Sequence, residues 1–508
     1  MFSGEIHHEV PSASPEEVLQ ILTEAERMAP NDPQVLLPLG QLHFSLEHYA
    51  EAADKFRKLS AVQPENPSVW LTLGFIFSEH LHQYEKAAEF LKTADSLDKI
   101  TPEIPMYLAE SLRKAERYEE SVPYYQRLLP VGLEYPQAIH GYGKTLLALG
   151  RLAEGWEAME FRLAASLGNW ERHHLPVWAF ADGKPYKTGR ENSFSSAASV
   201  LAYSEEGIGA ELMFASCLPD LIDTVDHCVV ECEGSLHDLF KRSFPRAVFV
   251  PLADDYVEPD KNPWGLKLDS QIAFGSLPRH FRQQISDFPL RKAYLVPDRN
   301  LVEKWSNRLA ELGDARKIGI LWQGMWTDES VPQTSLPVRE IAAMMRRHPE
   351  AAWVNLQHGQ HQNDLAAAGG FRTASAACLP HFFPDAFKYN LDSMAALLTA
   401  LDLVITPPGY IAHLAGALGV RTWLLLPERA DWRHNIGAAC GGSLSADQTN
   451  SLWHPAVRVY RQPRGSGWQT FFAPIEEDLQ KYLTTRRPPE KMVIPMPQTL
   501  AFPHRRVA

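Results

Sequence analysis

Residues 400–433 read ALDLVITPPGYIAHLAGALGVRTWLLLPERADWR, which predicts one strand–turn–helix–strand unit of a parallel sheet. The apolar run at 401–405 has the length of a strand, and a Pro-Pro-Gly turn follows it at 407–409. Small and apolar residues then predict a short helix that ends at Gly419, and 422–426 has the pattern of the next buried strand. In such sheets, ligands bind at the carboxyl ends of strands, where helix N-termini offer N–H groups to phosphates.

The composition is that of a globular protein with more than one domain. A chain of 508 residues is too long for one hydrophobic core, and its 45% apolar and 22% charged content is ordinary. The net charge of −13 argues against a nonspecific nucleic-acid binder. No run of about 18 apolar residues is present, so no membrane span is predicted.

The N-terminus and the cysteines bear on the compartment. Residues 1–17 have neither the basic start nor the apolar core of a secretory signal. The five cysteines are few and odd in number, and Cys228 and Cys232 lie in a strand-like segment without zinc spacing. We therefore expect a cytoplasmic protein with reduced thiols and no metal site.

The first third of the chain repeats itself every 34 or 35 residues. A Leu-Gly pair or its equivalent recurs at 39–40, 73–74, 108–109 and 142–143, and Tyr or Leu recurs at 49, 84, 118 and 152. This pattern resembles the tetratricopeptide repeat (TPR), in which small residues let paired helices approach closely. We expect a TPR α-solenoid over 1–165 whose groove binds a peptide or protein. The alternative is that the array only supports the next domain.

Strands and helices alternate after a polar, turn-rich junction at 166–198. Predicted strands at 199–203, 228–232 and 247–250 belong to a first α/β half, and the apolar strand at 317–322 opens a second. Two such units in succession predict two Rossmann-like domains facing across a cleft. We place the first half at 199–314, the second half at 315–480 and an extended tail at 481–508.

Four segments carry a family resemblance: YSEEGIGA at 203–210, IGILWQG at 318–324, LDLVI at 401–405 and HLAGALG at 413–419. As a set they resemble bacterial glycosyltransferases of the GT-B fold, the heptosyltransferase-like enzymes that are often joined to TPRs. The resemblance implies an N-terminal TPR α-solenoid followed by the two Rossmann-like α/β domains of GT-B. It also implies inverting, metal-independent sugar transfer from a nucleotide sugar, which is a substrate and not a bound cofactor.

The same resemblance implies roles for particular residues. Helix N–H groups near Gly409 would hold the diphosphate, and His413 would donate a hydrogen bond or, if protonated, a charge to the leaving phosphate. Gly324 would let the donor approach the strand end, and Gln357 lies where base or ribose contacts are made. The acceptor would face Gly207 and Gly209.

Further candidates have two readings each. Asp431, Trp432 and Arg433 form either a wall of the donor site or a structural ion pair at a domain seam. Trp322 is either a ligand contact or a core residue. His413 could likewise be a packed, hydrogen-bonded histidine.

The sequence departs from the family pattern at three places. Ala210 stands where the family has an aspartate taken as the general base, and Pro408-Gly409 stand where it has aspartate-threonine. Alanine cannot accept a proton, and the acidic pair at 328–329 disfavours a phosphate. Glu205 or Glu206 could serve as a substitute base, and Glu205 is our candidate.

Two functional hypotheses follow. The first is a glycosyltransferase that uses a nucleotide sugar and whose TPRs recruit a protein, peptide or glycan acceptor. The second is a catalytically degenerate GT-B protein that acts as a TPR scaffold in protein assembly. Neither requires nucleic acid, and the sequence leaves the sugar, the nucleotide, the acceptor and the oligomeric state open.

Overall fold

The computed structural model describes residues 14–165, 175–178, 199–252, 267–288, 290–324, 335–357, 364–367, 381–383, 391–437 and 450–485. These residues divide into two compact units. The first contains the described residues up to 146 together with 158–165, and the second contains 147–157 and those from 175 onward. Most of the predicted junction, the acidic pair at 328–329 and the tail beyond 485 lie outside the described residues.

The described residues up to 165 are helical, as the sequence predicts. The helices are α1 (Pro15–Met28), α2 (Pro33–Ser45), α3 (Tyr49–Val62), α4 (Pro67–Phe75), α5 (Tyr84–Leu97), α6 (Glu103–Lys114), α7 (Tyr118–Leu128), α8 (Pro136–Ala148), α9 (Leu152–Met159) and α10 (Phe161–Ala165). Proline occupies the first position of α1, α2 and α4, where its missing N–H costs no hydrogen bond. Side chains of Ser14, Asp32 and Asn66 cap these three helices.

The sequence repeat is also a repeat of backbone geometry. A residue with positive φ connects the two helices of successive pairs, at Glu47 (φ 61°), His82 (φ 51°), Glu116 (φ 56°) and Gly150 (φ 72°). These positions are 35, 34 and 34 residues apart, which is the period of the Leu-Gly pairs. The same left-handed corner therefore returns the chain after each first helix.

The Leu-Gly pairs place glycine where two helices are closest. A β-carbon on Gly74 would lie 2.2 Å from Cγ of Leu91, and one on Gly40 would lie 3.0 Å from the Phe56 ring. Both distances are shorter than side chains tolerate without movement of a neighbour. Close packing of α2 on α3 and of α4 on α5 thus depends on the missing side chain.

The first sheet of the second unit has four parallel strands. They are β1 (Ser199–Tyr203), β2 (His227–Cys232), β3 (Val248–Pro251) and β4 (Ser270–Ala273), in the order β3-β2-β1-β4. The helices along this part of the chain are α11 (Ile208–Phe214), α12 (Leu218–Thr224), α13 (His237–Ser243), α14 (Leu277–Phe281) and α15 (Arg299–Ala310). Strand β1 is central because the chain continues to β2 on one side and reaches β4 on the other.

The second sheet has six parallel strands in the order β10-β9-β8-β5-β6-β7. They are β5 (Lys317–Ile320), β6 (Ala352–Asn355), β7 (His381–Phe382), β8 (Leu403–Thr406), β9 (Thr422–Leu426) and β10 (Val457–Arg461). Helices α16 (Val338–Arg347), α17 (Asp364–Ala367), α18 (Leu391–Ala400), α19 (Tyr410–Ala417) and α20 (Trp468–Thr484) accompany them. Parallel-strand sheets in the C-terminal part agree with the predicted alternation of strands and helices.

Helix α20 differs from the predicted boundary. The sequence placed the end of the second half at residue 480, whereas the helix continues to Thr484. Tyr482 and Leu483 pack against the buried core beneath the helix, and the Tyr482 hydroxyl donates to the carbonyl of Asp402 at 2.8 Å. These tertiary contacts hold the last turn.

Each sheet has a point where the order of its strands reverses direction. In the first sheet it lies between β1 and β4, and in the second sheet between β5 and β8. In open parallel sheets, the loops at the carboxyl ends of strands diverge at this point and leave a crevice. A site is therefore expected at the residues that follow β1, β5 and β8.

No helix in the described part of the chain is long and apolar enough to cross a bilayer. A search of the same residues finds no group of three or more His, Cys, Asp or Glu side chains that could hold a metal ion.

Candidate functional site

The loop after β1 spans the reversal point of the first sheet. The Glu205 carboxylate accepts a hydrogen bond from the backbone N–H of Gly275, in the loop after β4, at 2.7 Å. Glu206 follows with a φ of 59°, and Gly207 with a φ of 79°. A β-carbon on Gly207 would meet no atom of the described residues within 4 Å, so none of them fills the space beside this turn. The predicted base Glu205 thus joins the two sides of the crevice.

A buried carboxyl that the sequence analysis did not single out supports this loop. Glu211 on α11 is fully buried and accepts hydrogen bonds from the Ser204 hydroxyl and from the backbone N–H of Glu233, the latter at 3.2 Å. Burial raises the pKa of Glu211 to about 7 against the lowering effect of these bonds. A single acid inside the apolar run IGAELMF was the available signal for such a residue.

The loop after β8 is the Pro-Pro-Gly turn predicted from the sequence. Pro407, Pro408 and Gly409 are buried, and a β-carbon on Gly409 would meet no atom within 4 Å in the part of the chain that the structure describes. Helix α19 begins at Tyr410, and the N–H of Ala412 donates to the carbonyl of Gly409 at 3.1 Å. The start of a helix favours an anion, and the N–H groups that precede Ala412 are the candidates for such a contact at this turn.

The loop after β5 is held by Gln357. The Gln357 side-chain oxygen accepts from the backbone N–H groups of Trp322 and Gln323 at 3.4 and 2.9 Å. Asn355 in turn accepts from the N–H of Gln357 at 2.7 Å. The predicted ribose or base contact of Gln357 therefore competes with a structural role that its oxygen already has.

Trp322 and Gly324 are both buried. The Trp322 side chain is completely buried in the hydrophobic core that contains Ile341 and Phe472. The structure favours the interpretation of Trp322 as a core residue over that of a ligand contact, because a completely buried ring presents no face to a ligand.

His413 is buried beside two other histidines. Its Nδ1 lies 3.0 Å from Nε2 of His454, and its ring stacks on His434 at a centroid distance of 5.7 Å. Burial lowers the pKa of His413 well below its ordinary value, and the neighbouring imidazoles and Arg433 lower it further. The ring is therefore neutral near pH 7. Of the two predicted interactions with a phosphate, His413 can still donate a hydrogen bond, but it does not contribute a positive charge.

Arg433 forms the ion pair that was one of its two readings. Its guanidinium lies 2.5 Å from the Glu206 carboxylate and 2.9 Å from that of Asp431, and it stacks over Trp432 at 4.8 Å. Burial alone would raise the pKa of Asp431, but the charge and hydrogen bonds of Arg433 hold it at about 2. Trp432 packs edge-to-face on Trp156 at 5.9 Å.

The two crevices face each other within the second unit. A β-carbon on Gly209 would lie 3.8 Å from Cα of Tyr410, so the starts of α11 and α19 are in direct contact. The Glu206–Arg433 pair joins the same two regions. The structure thus brings together the glycine turns, Glu206, Tyr410 and Arg433, whereas Trp322 and Gln357 stabilise the loop after β5.

The first unit contains a separate pocket of about 440 Å³ between α2, α3 and α4. Leu37, which is 41% exposed, lies at this pocket. The lining residues are apolar or uncharged polar: Leu37, Gln41, Phe44, Phe56, Leu59, Gln63, Asn66, Ser68, Val69, Thr72 and Phe75.

Comparison with curated proteins finds Protein FlbA of Caulobacter vibrioides (strain ATCC 19089 / CIP 103742 / CB 15), which is 27% identical over 353 residues. The match covers 66% of this chain and 54% of FlbA, so the chain spans about half the length of this relative. No family model matches the chain.

Among solved structures, MamA 41-end from Desulfovibrio magneticus RS-1 is 21% identical and covers 30% of this chain and 89% of its own, with a TM-score of 0.27. YrrB, described as a TPR protein with an unusual peptide-binding site, is 17% identical and covers 28% of this chain and 73% of its own, with a TM-score of 0.25. TM-scores this low support no argument about the fold or function of the present chain.

Proposed function

We propose that this protein is a glycosyltransferase that takes a sugar from a nucleotide sugar and transfers it to a protein or peptide acceptor. The observation that carries the proposal is the contact between the two crevices through Gly209 and Tyr410, together with the absence of any described atom within 4 Å of a β-carbon placed on Gly207 or Gly409. A donor bound at one turn and an acceptor at the other would then meet across a short distance.

The strand order supports a nucleotide site in the second sheet. Numbered from β5 as the first strand, the order from β7 to β10 is 3-2-1-4-5-6, which is the order of dinucleotide-binding doubly wound sheets. The crevice between β5 and β8 is the position at which such sheets bind their ligand. The start of α19 at this crevice supplies N–H groups for a phosphate.

The first test is a thermal-shift screen of the full chain with nucleoside mono- and diphosphates of uridine, guanosine, cytidine and adenosine. A ligand at about 100 times its dissociation constant adds roughly 2.7 kcal/mol of stability. We expect one base to raise the melting temperature, and Gly409→Val to abolish the shift because its side chain would fill the open space at the turn.

Gly313→Val is the matched control. Gly409 has a positive φ of 156° and Gly313 one of 78°, and no described atom lies within 4 Å of a β-carbon placed on Gly313. Gly313, however, precedes β5 and so lies at the amino ends of the strands. It therefore carries a comparable backbone strain without touching the crevice. The assigned donor site would be contradicted if both variants lost the shift in melting temperature, or if none of the nucleotides raised the melting temperature of the unsubstituted protein.

The second candidate function is a protein-interaction scaffold without catalysis. The uncharged pocket in the helical unit favours it, and so do Ala210 and the commitment of Arg433 to two carboxylates. A photo-crosslinking amino acid at Leu37 should capture a partner protein. The same label at Leu129, which is 40% exposed outside the pocket, should not.

The two candidate functions, transferase and scaffold, predict different combinations of the nucleotide-binding and crosslinking results. A nucleotide shift with capture at position 37 supports a transferase that recruits its acceptor. Capture without any nucleotide shift supports the scaffold.

A further inference from the structure

The hydrogen bond between His413 and His454 contains one proton whose position the surroundings decide. Both rings are buried, with 5% and 3% of their surface exposed, and the nitrogens Nδ1 of His413 and Nε2 of His454 lie 3.0 Å apart. Burial lowers the pKa of His454 to about 3 and that of His413 well below its ordinary value. The pair is therefore neutral, and one of the two nitrogens must be protonated while the other accepts.

The shared proton can reside on Nδ1 of His413 or on Nε2 of His454, and the second nitrogen of His454 distinguishes these two arrangements. Its Nδ1 is buried and makes no hydrogen bond with any residue that the structure describes. If His413 donated the shared proton, a neutral His454 would carry its own proton on this nitrogen and leave a buried donor unpaired. Orphaned buried N–H groups are rarer than under-satisfied acceptors, so the shared proton belongs to Nε2 of His454.

We propose that His454 is a positioning residue that donates from Nε2–H to Nδ1 of His413 and thereby makes Nε2–H of His413 a neutral hydrogen-bond donor to an anionic phosphate. This inference rests on the proposed function for the identity of the anion. It assigns the tautomer of His413 independently of any ligand. Sequence analysis assigned no role to His454.

The packing around the pair holds it in this geometry. A β-carbon on Gly416 would lie 2.5 Å from Cγ of His454, so glycine one turn after His413 makes room for the second ring. The Tyr294 ring also stacks on the His454 ring, with their centroids 6.1 Å apart. The His454 ring is thereby fixed in place and in orientation toward His413.

The charged and titratable groups that face His413 all disfavour its protonation. They are His434, whose pKa burial lowers to about 4, His454 and the Arg433 guanidinium. A second positive charge here would be buried beside Arg433. His413 therefore acts through a hydrogen bond over the whole pH range in which an exposed histidine would become protonated.

The direct test is nuclear magnetic resonance of the full chain with ¹⁵N-labelled histidine rings. Two-bond ¹H–¹⁵N correlations distinguish a ring protonated at Nδ1 from one protonated at Nε2, and signals lost in His413→Gln and His454→Gln assign the pair. We expect both rings to be neutral at pH 7 and protonated at Nε2. Protonation of His413 at Nδ1, or an imidazolium at either position, would overturn the assignment.

The functional test compares two substitutions at position 454 by titration with uridine, guanosine, cytidine and adenosine diphosphates. His454→Gln keeps a donor near the position of Nε2, so affinity should stay within about threefold of the original. His454→Met removes the donor and frees the His413 tautomer, so affinity should fall roughly tenfold, the effect of about one hydrogen bond. Equal losses in both variants would show a packing role alone and contradict the proposal.

The pH dependence supplies a readout that a packing role would not change. Affinity for the bound nucleotide should not rise between pH 7.5 and pH 5.5, because His413 gains no charge in this range. A tenfold rise over it would show that the imidazolium binds the phosphate. Should no nucleotide bind, the proposed function and the donation to phosphate both fail, while the spectra still decide the tautomer.

Discussion

Arg433 and Glu206 form an ion pair between residues 227 positions apart, with Nη2 of the arginine 2.5 Å from Oε2 of the glutamate. Glu206 belongs to the turn after β1, and Arg433 follows β9. The same guanidinium also pairs with Asp431, so one arginine joins the crevices of the two sheets and shares its single positive charge between two carboxylates. A phosphate that approached Arg433 would have to compete with these acids.

Removal of this arginine should destabilise the second unit. In Arg433→Met, Asp431 loses its charge-assisted hydrogen bond, and the free energy of unfolding should fall by about 2 kcal/mol. The pKa of Asp431 in the folded state lies below its unfolded-state value, so its stabilisation is present above about pH 4 and is lost as the pH falls toward 2. Urea unfolding from pH 7 to pH 3 should therefore show the variant approaching the unsubstituted protein. A difference that stays constant with pH would refute the pairing.

Glycine at position 416 should be essential to the packing of His454. The β-carbon of Gly416→Ala would lie 2.5 Å from the His454 ring and 2.8 Å from Val457. Such overpacking costs about 1–3 kcal/mol in a buried site. Gly234→Ala is the control because a β-carbon there meets nothing within 4 Å, and it should leave the melting temperature nearly unchanged. Equal melting temperatures for the two variants would argue against the geometry at His454.

The glycines of the helical repeat should differ in their tolerance of alanine. Gly74→Ala places a β-carbon 2.2 Å from Leu91, whereas Gly40→Ala places one 3.0 Å from the edge of the Phe56 ring. We expect Gly74→Ala to cost about 1–3 kcal/mol and Gly40→Ala to cost less, because the second overlap is smaller. Chemical denaturation of the two variants followed by helical circular dichroism tests the order. The reverse order would mean that Leu91 yields more readily than Phe56.

The buried carboxyl of Glu211 should make stability depend on pH in the opposite sense to Asp431. Its pKa of about 7 lies above the unfolded-state value, so stability is full below about pH 4.5 and falls as the pH rises through 7. Glu211→Gln removes this loss, so its gain in stability over the unsubstituted protein should be small at pH 5 and reach roughly 3 kcal/mol at pH 8. Glu303→Gln, at an exposed position of α15, is the control and should show no such gain. If Glu211→Gln left the pH dependence of the free energy of unfolding unchanged, the raised pKa of Glu211 would be contradicted.

Much of the architecture was predictable because it depends on local patterns. The 34-residue period reappears in the helices and in the positive-φ corners at Glu47, His82 and Glu116. The strand–turn–helix–strand unit predicted within 400–433 is observed as β8, the turn at 407–409, α19 and β9. Hydrophobic periodicity, glycine and proline act over a few residues, so a single sequence displays them.

The roles of single side chains were less predictable. The turns at Gly207 and Gly409 were identified in advance because glycine between a strand and a helix marks close approach to the backbone. The partner of Gln357 was not, since its oxygen bonds backbone groups 34 and 35 residues away. A tryptophan such as Trp322 can serve as a core residue or as a ligand contact, and only its burial beside Ile341 decides between these roles.

The sequence by itself determined the helical repeats, the alternation of strands and helices, and the glycine turns at the strand ends, because each follows from short-range sterics and apolar spacing. Only the tertiary structure decided that Arg433 pairs with Glu206 and that His454 meets His413. These pairs are separated by 227 and 41 positions, and they form because the order of parallel strands brings distant loops to one edge. Burial at that edge then sets the charge of each group, since a low-dielectric environment penalises any ion without a partner.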